Sequence, residues 1–222
     1  MRDLTCVYYT SNHEKPAFEA KIQRTLLDNM GDIPLISVSQ QPIALGENIC
    51  VGEVGVSSQN AWRQLQIGAQ AACTRFVCTA ESDSLYPSEY FTFTPPRDDT
   101  FYLAQPLWVL FAQRGHGKCY YQKPRASESA MMVNRELLVK RLGEILDKHG
   151  QWGTLDADGV QLAYPLERRY VKGDYYTLDV PIITIKTDEN MHRKTPHNTL
   201  SKTRDLDGWG AASDLLARYM AP

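Results

Sequence analysis

The stretch TAESDSLYP, residues 79 to 87, places Glu81 and Asp83 one residue apart directly after the apolar run RFVCTA. In an extended segment, side chains two apart lie on the same side. A hard divalent cation takes oxygen ligands and can bridge them to substrate phosphates. In open α/β sheets, ligands gather at the carboxyl ends of the strands, where this pair would sit if RFVCTA is central. A solvated loop is the ordinary alternative for the same residues.

Four other groups could do chemistry. Thr10, Ser11 and Asn12 follow the strand-like LTCVYYT; their short polar groups could bond a nucleobase or ribose, or build a turn. Gly46, Gly52 and Gly55 in LGENICVGEVG could let backbone approach a ligand, but their spacing matches neither the dinucleotide fingerprint nor the P-loop. Residues 186 to 204 carry Lys186, Arg193, Lys194, Lys202 and Arg204 against Asp188 and Glu189, together with His192 and His197. A neutral imidazole there could ligate a cation. Alternatively the segment is a solvated loop, or a flap in which Arg193 or Lys194 neutralises a leaving diphosphate while water is excluded. The tyrosine-rich run LAYPLERRYVKGDYYTLD offers Tyr170, Tyr175 and Tyr176 as stacking surfaces for an acceptor, with packing as the alternative.

The elements that must hold these groups alternate. LTCVYYT reads as a buried strand, and Pro16 opens a helix carrying Phe18, Ile22 and Leu26 that stops at Gly31. PLISVS is a second strand. NAWRQLQIGAQAA is a helix with Trp62, Leu65, Ala69 and Ala72 on one face and Ser57, Ser58 or Asn60 as caps. RFVCTA is the third strand. Further on, LWVLFA, KCYYQK and DVPIITIK read as strands, and NRELLVKRLGEILDKHG as a helix turning Leu138, Leu142 and Ile145 inward. Residues 150 to 180 read as irregular, and SDLLARYM as a short terminal helix. The pattern predicts one α/β domain with a mostly parallel, Rossmann-like sheet and a less regular C-terminal half.

With 222 residues and a net charge of −2, the chain is of globular composition and does not advertise nucleic-acid binding as a whole. No apolar stretch is long enough to span a membrane. The N-terminus does not read as a secretory signal, so a cytoplasmic protein is expected (host cytoplasm if viral). Five cysteines without CxxC spacing predict buried, reduced thiols.

The segments TSN (10–12), PLISVSQQP (34–42), LGENICVGEVG (45–55), NAWRQLQIGAQAA (60–72) and TAESDSLYP (79–87) resemble, in order and spacing, the GT-A-fold nucleotide-sugar-dependent glycosyltransferases. A phage-type DNA-modifying member is one such reading. FTFTPP (91–96), SESAMMVNRELL (127–138) and ENMHRKT (189–195) look like later landmarks. The resemblance implies a donor-binding half over residues 1–96 and an acceptor half with a basic flap over 97–222. It makes the acidic segment a DxD-type motif in which Mn²⁺ or Mg²⁺ holds the donor diphosphate, with Glu81 standing where Asp is commoner. It implies Asp83 and Glu81 as metal ligands, with His192 or His197 completing the set. Thr10, Ser11, Asn12, Asn48, Asn60, Arg63, Gln64, Glu81, Arg193 and Lys194 fall on the donor side. Glu128 opens the acceptor-side landmark and is the preferred catalytic base beside Asp83; Glu167, Asp174 and Asp179 are alternatives.

The function expected is metal-dependent transfer of a sugar from a nucleoside diphosphate to a hydroxyl. Hydroxylated or hydroxymethylated DNA bases are narrowly favoured as acceptors because the local basic stretch could hold a phosphate backbone. A nucleotidyltransferase is the competing reading, weakened by the lack of a Gly-rich loop with Arg and Lys near residue 10. A non-catalytic nucleotide-sugar-binding module is the third.

Overall fold

The structure is a computed structural model that describes residues 3–113, 117–123, 127–148, 150–153, 173–189 and 201–221. Strand β1 (Leu4–Thr10) is buried along its whole length, in keeping with its run of apolar, aromatic and β-branched types in a strand covered on both faces. Its side chains part alternately: Leu4, Cys6 and Tyr8 enter one core layer, Val7 and Tyr9 the other. Helix α1 (Pro16–Met30) buries Phe18, Ile22, Leu26 and Met30 and ends at Gly31. Strand β2 (Leu35–Ser39) follows, then β3 (Glu47–Cys50), a strand the sequence reading did not anticipate. Gly46 enters β3 at a φ of 58°, where any Cβ would collide with the Leu35 carbonyl.

Helix α2 (Ser58–Ala71) is capped by Ser57, whose hydroxyl accepts the Asn60 N–H. A Cβ on Gly68 would strike Val7, so glycine is what lets α2 lie this close to the sheet. Strand β4 (Phe76–Glu81) then pairs with β1. Together β3, β2, β1 and β4 form a parallel block, with α1 contributing to the core layer on one face and α2 to that on the other.

Beyond β4 the geometry changes. β5 (Ser84–Leu85), β6 (Phe101–Phe111), β7 (Tyr120–Gln122), β8 (Met131–Asn134), β9 (Gly173–Lys186) and β10 (Lys202–Thr203) extend the same sheet. The order runs β3-β2-β1-β4-β8-β6-β7-β10, with β9 pairing β6 and β5. All these added pairings are antiparallel except β6 with β9. The sheet is therefore mixed, not mostly parallel. Connections such as that between β6 and β7 are too short for a crossover, and short links join only antiparallel neighbours. The halves 1–96 and 97–222 share this one sheet.

Helix α3 (Arg135–Leu146) starts where Asn134 accepts the N–H groups of Glu136 and Leu137. It buries Leu138, Leu142 and Leu146, with Ile145 only partly covered in place of the inward role expected of it. Helix α4 (Ala212–Met220) packs with α1. Residues 173–180, expected to be irregular, begin β9. Cys6 and Cys78 are buried thiols, but Cys50 and Cys73 are exposed and Cys119 half-buried, so the expectation of general burial is corrected. Among the described residues no helix is long and apolar enough to cross a membrane.

Candidate functional site

The connection through α1 carries the chain from β1 to β2 on one side; that through α2 carries it from β3 across to β4 on the other. Strand order therefore reverses between β1 and β4. Ligands of open α/β sheets bind in the crevice at the carboxyl ends of the strands beside such a reversal. A cleft of about 360 Å³ lies there, lined by Tyr9, Thr10 and Ser11 after β1, by Glu81, Ser82 and Asp83 after β4, and by Lys186. The N-terminus of α2, with Ser57, Ser58 and Asn60, also lines it. This is the end of a helix that favours negative charge.

The amides along this wall are committed to the scaffold. Asn12, at a φ of 55°, accepts the N–H groups of Gln40 and Gln41 through Oδ1, both at 2.9 Å. Thr10 Oγ1 in turn accepts the Asn12 N–H at 2.9 Å. Gln64 Nε2 donates to the carbonyls of Thr10 (2.8 Å) and Val38 (3.0 Å), tying α2 to the ends of β1 and β2. Asn60 Nδ2 donates to Val54 O at 2.7 Å and Gly55 O at 3.0 Å, while its Oδ1 accepts the Gly153 N–H. For Thr10 and Asn12 the turn-building role is the one seen. Ser11 faces the cleft.

The floor is charged. Tyr9 and Glu81 are register partners on β1 and β4, and the Tyr9 hydroxyl donates to Glu81 Oε1 at 2.6 Å. Glu81 N–H in turn donates to the Tyr86 hydroxyl. The backbone turns at Ser82 and Asp83, so strand alternation is not what brings the two carboxylates to one cleft. Asp83 is instead placed by β5 and β9: the Ile185 N–H donates to its carbonyl at 2.7 Å. Ser84 Oγ donates to Asp83 Oδ1 at 2.9 Å, and Lys186 Nζ to Oδ2 at 2.9 Å.

Burial, and next the charge of Asp83, push the Glu81 carboxyl up to about 7 against the opposing pull of Tyr9 and the two lysines nearby. Burial works against the Lys186 ammonium too, but Asp83 outweighs it and holds this lysine above its ordinary value. Lys123, just after β7, is lowered by burial and by the neighbouring Lys186 charge. Glu128 begins a short 3-10 turn (Glu128–Ala130); its carbonyl accepts from Thr79 Oγ1 at 2.8 Å, and its charge acts on Tyr9 and Lys123. It acts on this cluster through its charge and does not line the cleft.

Four expected site residues face elsewhere. Asn48 donates to Ser37 Oγ and Ser39 Oγ, both at 2.9 Å, and accepts the Ile43 N–H, stitching β3 to β2. Arg63 lies on the outer side of α2, where it donates to Leu146 O (2.9 Å) at the end of α3 and to Asp147 Oδ1 (3.2 Å). A cation is favoured at such a C-terminus, so helix packing, not a phosphate, holds it. Tyr176 stacks on Phe93 with ring centroids 3.9 Å apart inside the core. Tyr175 is exposed on the opposite side of β9. Tyr170, His192, Arg193, Lys194 and His197 lie outside the described residues.

Tyr9, Lys123 and Lys186 were not singled out from sequence as members of this cluster. The signal for both lysines was a position at the end of a strand-like run, in KCYYQK and DVPIITIK.

The expected divalent cation can be tested against this donor set. It asks for several oxygen ligands, largely anionic. Here both Asp83 oxygens already accept hydrogen bonds, one of them from an ammonium. Among the described residues no group of three or more His, Cys, Asp or Glu is arranged to hold a metal ion. These residues, as placed, do not fit one.

No protein-family model matches the chain, and no curated protein matches it by sequence. Solved structures do. A nucleotidyl transferase from Methanothermobacter thermautotroptrophicus is 12% identical over 80% of this chain and 88% of its own, with a TM-score of 0.50. A glycosyltransferase involved in glycosylating the major capsid of PBCV-1 is 10% identical over 82% and 92%, with a TM-score of 0.47. At such identities the first likeness shows the fold alone, and the second carries no further weight. The chain shares with the first of these a mixed α/β architecture, loosely GT-A-like.

Proposed function

We propose that this chain is a glycosyltransferase that binds a nucleoside-diphosphate sugar in the cleft beside β1 and β4 and passes the sugar to an acceptor hydroxyl. The observation that carries the reading is the meeting, at the reversal of strand order, of the α2 N-terminus, Lys186 and the Glu81–Asp83 carboxylates. The α2 N-terminus and Lys186 supply positive potential for a diphosphate. Such groups act most strongly where charge develops on the leaving group.

In the transfer, the bond between the anomeric carbon and the phosphate oxygen breaks and its electrons leave with the diphosphate. The acceptor oxygen bonds the anomeric carbon and loses its proton. Glu81 lines the cleft and titrates near 7, the range in which a carboxylate serves as a general base. It is a better placed proton acceptor than Glu128, which does not line the cleft. Mn²⁺ or Mg²⁺, if bound, would draw on groups outside the described residues, His192 or His197 among them.

Nucleotidyl transfer is the second reading, supported by the likeness in fold to the nucleotidyl transferase from Methanothermobacter thermautotroptrophicus. The products decide between them. Incubation with nucleotide sugars and a panel of acceptors, including duplexes with hydroxymethylated pyrimidines, should release nucleoside diphosphate and add a hexose or pentose mass to one acceptor. Release of pyrophosphate from nucleoside triphosphates and sugar phosphates, with no nucleoside diphosphate formed, would favour nucleotidyl transfer and reject the first reading. Of the basic stretch, Lys186, Lys202 and Arg204 are described: Lys186 faces Asp83, while Lys202 on β10 and Arg204 just after it are exposed.

A further inference from the structure

Within the proposed reading of the cleft, we propose that Lys186 stands where a divalent cation would stand, bridging Asp83 to the ligand's diphosphate, so that the cleft binds nucleoside diphosphates without metal. The placement of Lys186 is built into the sheet. It closes β9, whose pairing with β5 spans a hundred residues of sequence through Ser84 and Thr184. The two hydroxyls of that pair lie 3.2 Å apart, and the Ile185 N–H holds the Asp83 carbonyl at 2.7 Å. The ammonium is thus carried to within 2.9 Å of Asp83 Oδ2 by backbone pairing on both sides, not by a wandering side chain.

An ammonium has three N–H donors, and the bond to Asp83 occupies one. The Lys186 side chain keeps 29% of its surface exposed while lining the cleft. The remaining donors can therefore meet phosphate oxygens while Asp83 stays bound, the same bridge between carboxylate and phosphate that a divalent cation would make. Lys123 adds positive charge within electrostatic reach of Lys186, Glu81, Asp83 and Glu128. The α2 N-terminus adds more across the cleft. Asp83 is then a positioning residue: it aims Lys186 and does not itself touch the ligand. A doubly charged ion on Asp83 would have to displace this ammonium or sit beside it, and like charges so close repel strongly.

Calorimetric titration with the four ribonucleoside diphosphates, in EDTA and in Mn²⁺, tests this on the full chain. Binding of at least one nucleotide should persist in EDTA. Lys186→Met should weaken it by about tenfold or more, the loss of one charged hydrogen bond. Asp83→Asn separates the two accounts. It removes a negative charge from the anion site but keeps an amide oxygen that can accept from Lys186, so binding in EDTA should persist, with a change smaller than the Lys186→Met loss. Were Asp83 a metal ligand, the parent would bind only in Mn²⁺ and this variant would lose that binding.

Melting temperatures report whether each variant is folded, and the EDTA arm needs no variant. Binding that appears only with Mn²⁺, or that survives Lys186→Met, overturns the bridging lysine and leaves the transferase reading standing. Absence of nucleotide binding under both conditions overturns both.

Discussion

The wall and the floor of the cleft are both polar, yet they are built on opposite terms. On the wall, the amides of Asn12, Gln40, Asn60 and Gln64 are bonded to backbone groups of strand ends and loops. Any ligand that broke those bonds would loosen the fold. On the floor, Glu81 and Asp83 face Tyr9, Lys123 and Lys186, and the bonds run between side chains. Charged side chains can trade partners with an incoming anion at little backbone cost. Polar character alone does not mark a binding residue; what its hydrogen bonds hold in place does. The wall sets the shape of the cleft, and the floor supplies its chemistry.

The sharpest way to break this comparison is at Gln64. It is buried, and its amide satisfies two carbonyls, those of Thr10 and Val38. Gln64→Leu keeps the bulk but removes the side-chain donor from both carbonyls. Each such bond is worth about 0.5–1.5 kcal/mol net, so a loss of roughly 1–3 kcal/mol is expected from urea unfolding at an unchanged slope. Nucleotide affinity of the folded fraction should move only a few-fold. A variant as stable as the parent but unable to bind would transfer Gln64 to the floor.

Glu81 sharpens the other side. Its carboxyl is raised from 4.5 to about 7 in the folded chain. A raised value means the folded state favours the proton, so the contribution to stability is complete below about 4.5 and is lost as pH climbs through 7. The cleft admits solvent, so the loss is roughly 1–2 kcal/mol, less than the shift alone would give. Stability measured from pH 5 to pH 8 should fall, and Glu81→Gln should flatten that fall. The same ionisation adds negative charge beside the anion site, so diphosphate binding should weaken over the same interval. An identical slope in the variant would place the titrating group elsewhere.

How much of this was legible in sequence follows from the range of the interactions. β1, α1, β2, α2 and β4 could be read because each carries its own signal: an apolar run, a four-residue period, a Pro or Ser at the start, a Gly at the end. β3, β5 and β8 hold four, two and four residues, too few for a period to show. The first part of β9 did carry one, since Tyr176 and Leu178 are buried between exposed Tyr175, Thr177 and Asp179. Its tyrosines suggested a binding surface and masked the alternation. In the site, Glu81 and Asp83 were visible by type and by their place after an apolar run. Lys186 was visible only as one charge in a basic stretch. Its role depends on β9 reaching β5, a pairing that no local pattern encodes.

Arg63 gives the smallest effect and the cleanest separation of the two regions. An arginine one turn into α2, beside residues that line the cleft, is what a phosphate-binding residue would look like in sequence. In the fold its guanidinium turns to the end of α3, with bonds to Leu146 O, Gln66 Oε1 and Asp147 Oδ1. Asp147 is largely exposed, so that ion pair is screened and weak. The bonds to Leu146 O and Gln66 contribute more because Arg63 itself is mostly covered. Arg63→Met keeps the aliphatic packing between α2 and α3 and removes the bonds. A loss of about 1 kcal/mol is expected, with nucleoside-diphosphate affinity unchanged within error. Measured beside Lys186→Met, the pair forms a double dissociation: one substitution should lower the melting temperature and leave binding alone, the other should lower binding far more than its effect on melting explains. If Arg63→Met instead weakened nucleotide binding as much as Lys186→Met does, the diphosphate would lie along α2 rather than over Asp83. The floor of the cleft would then have been assigned to the wrong side of the helix.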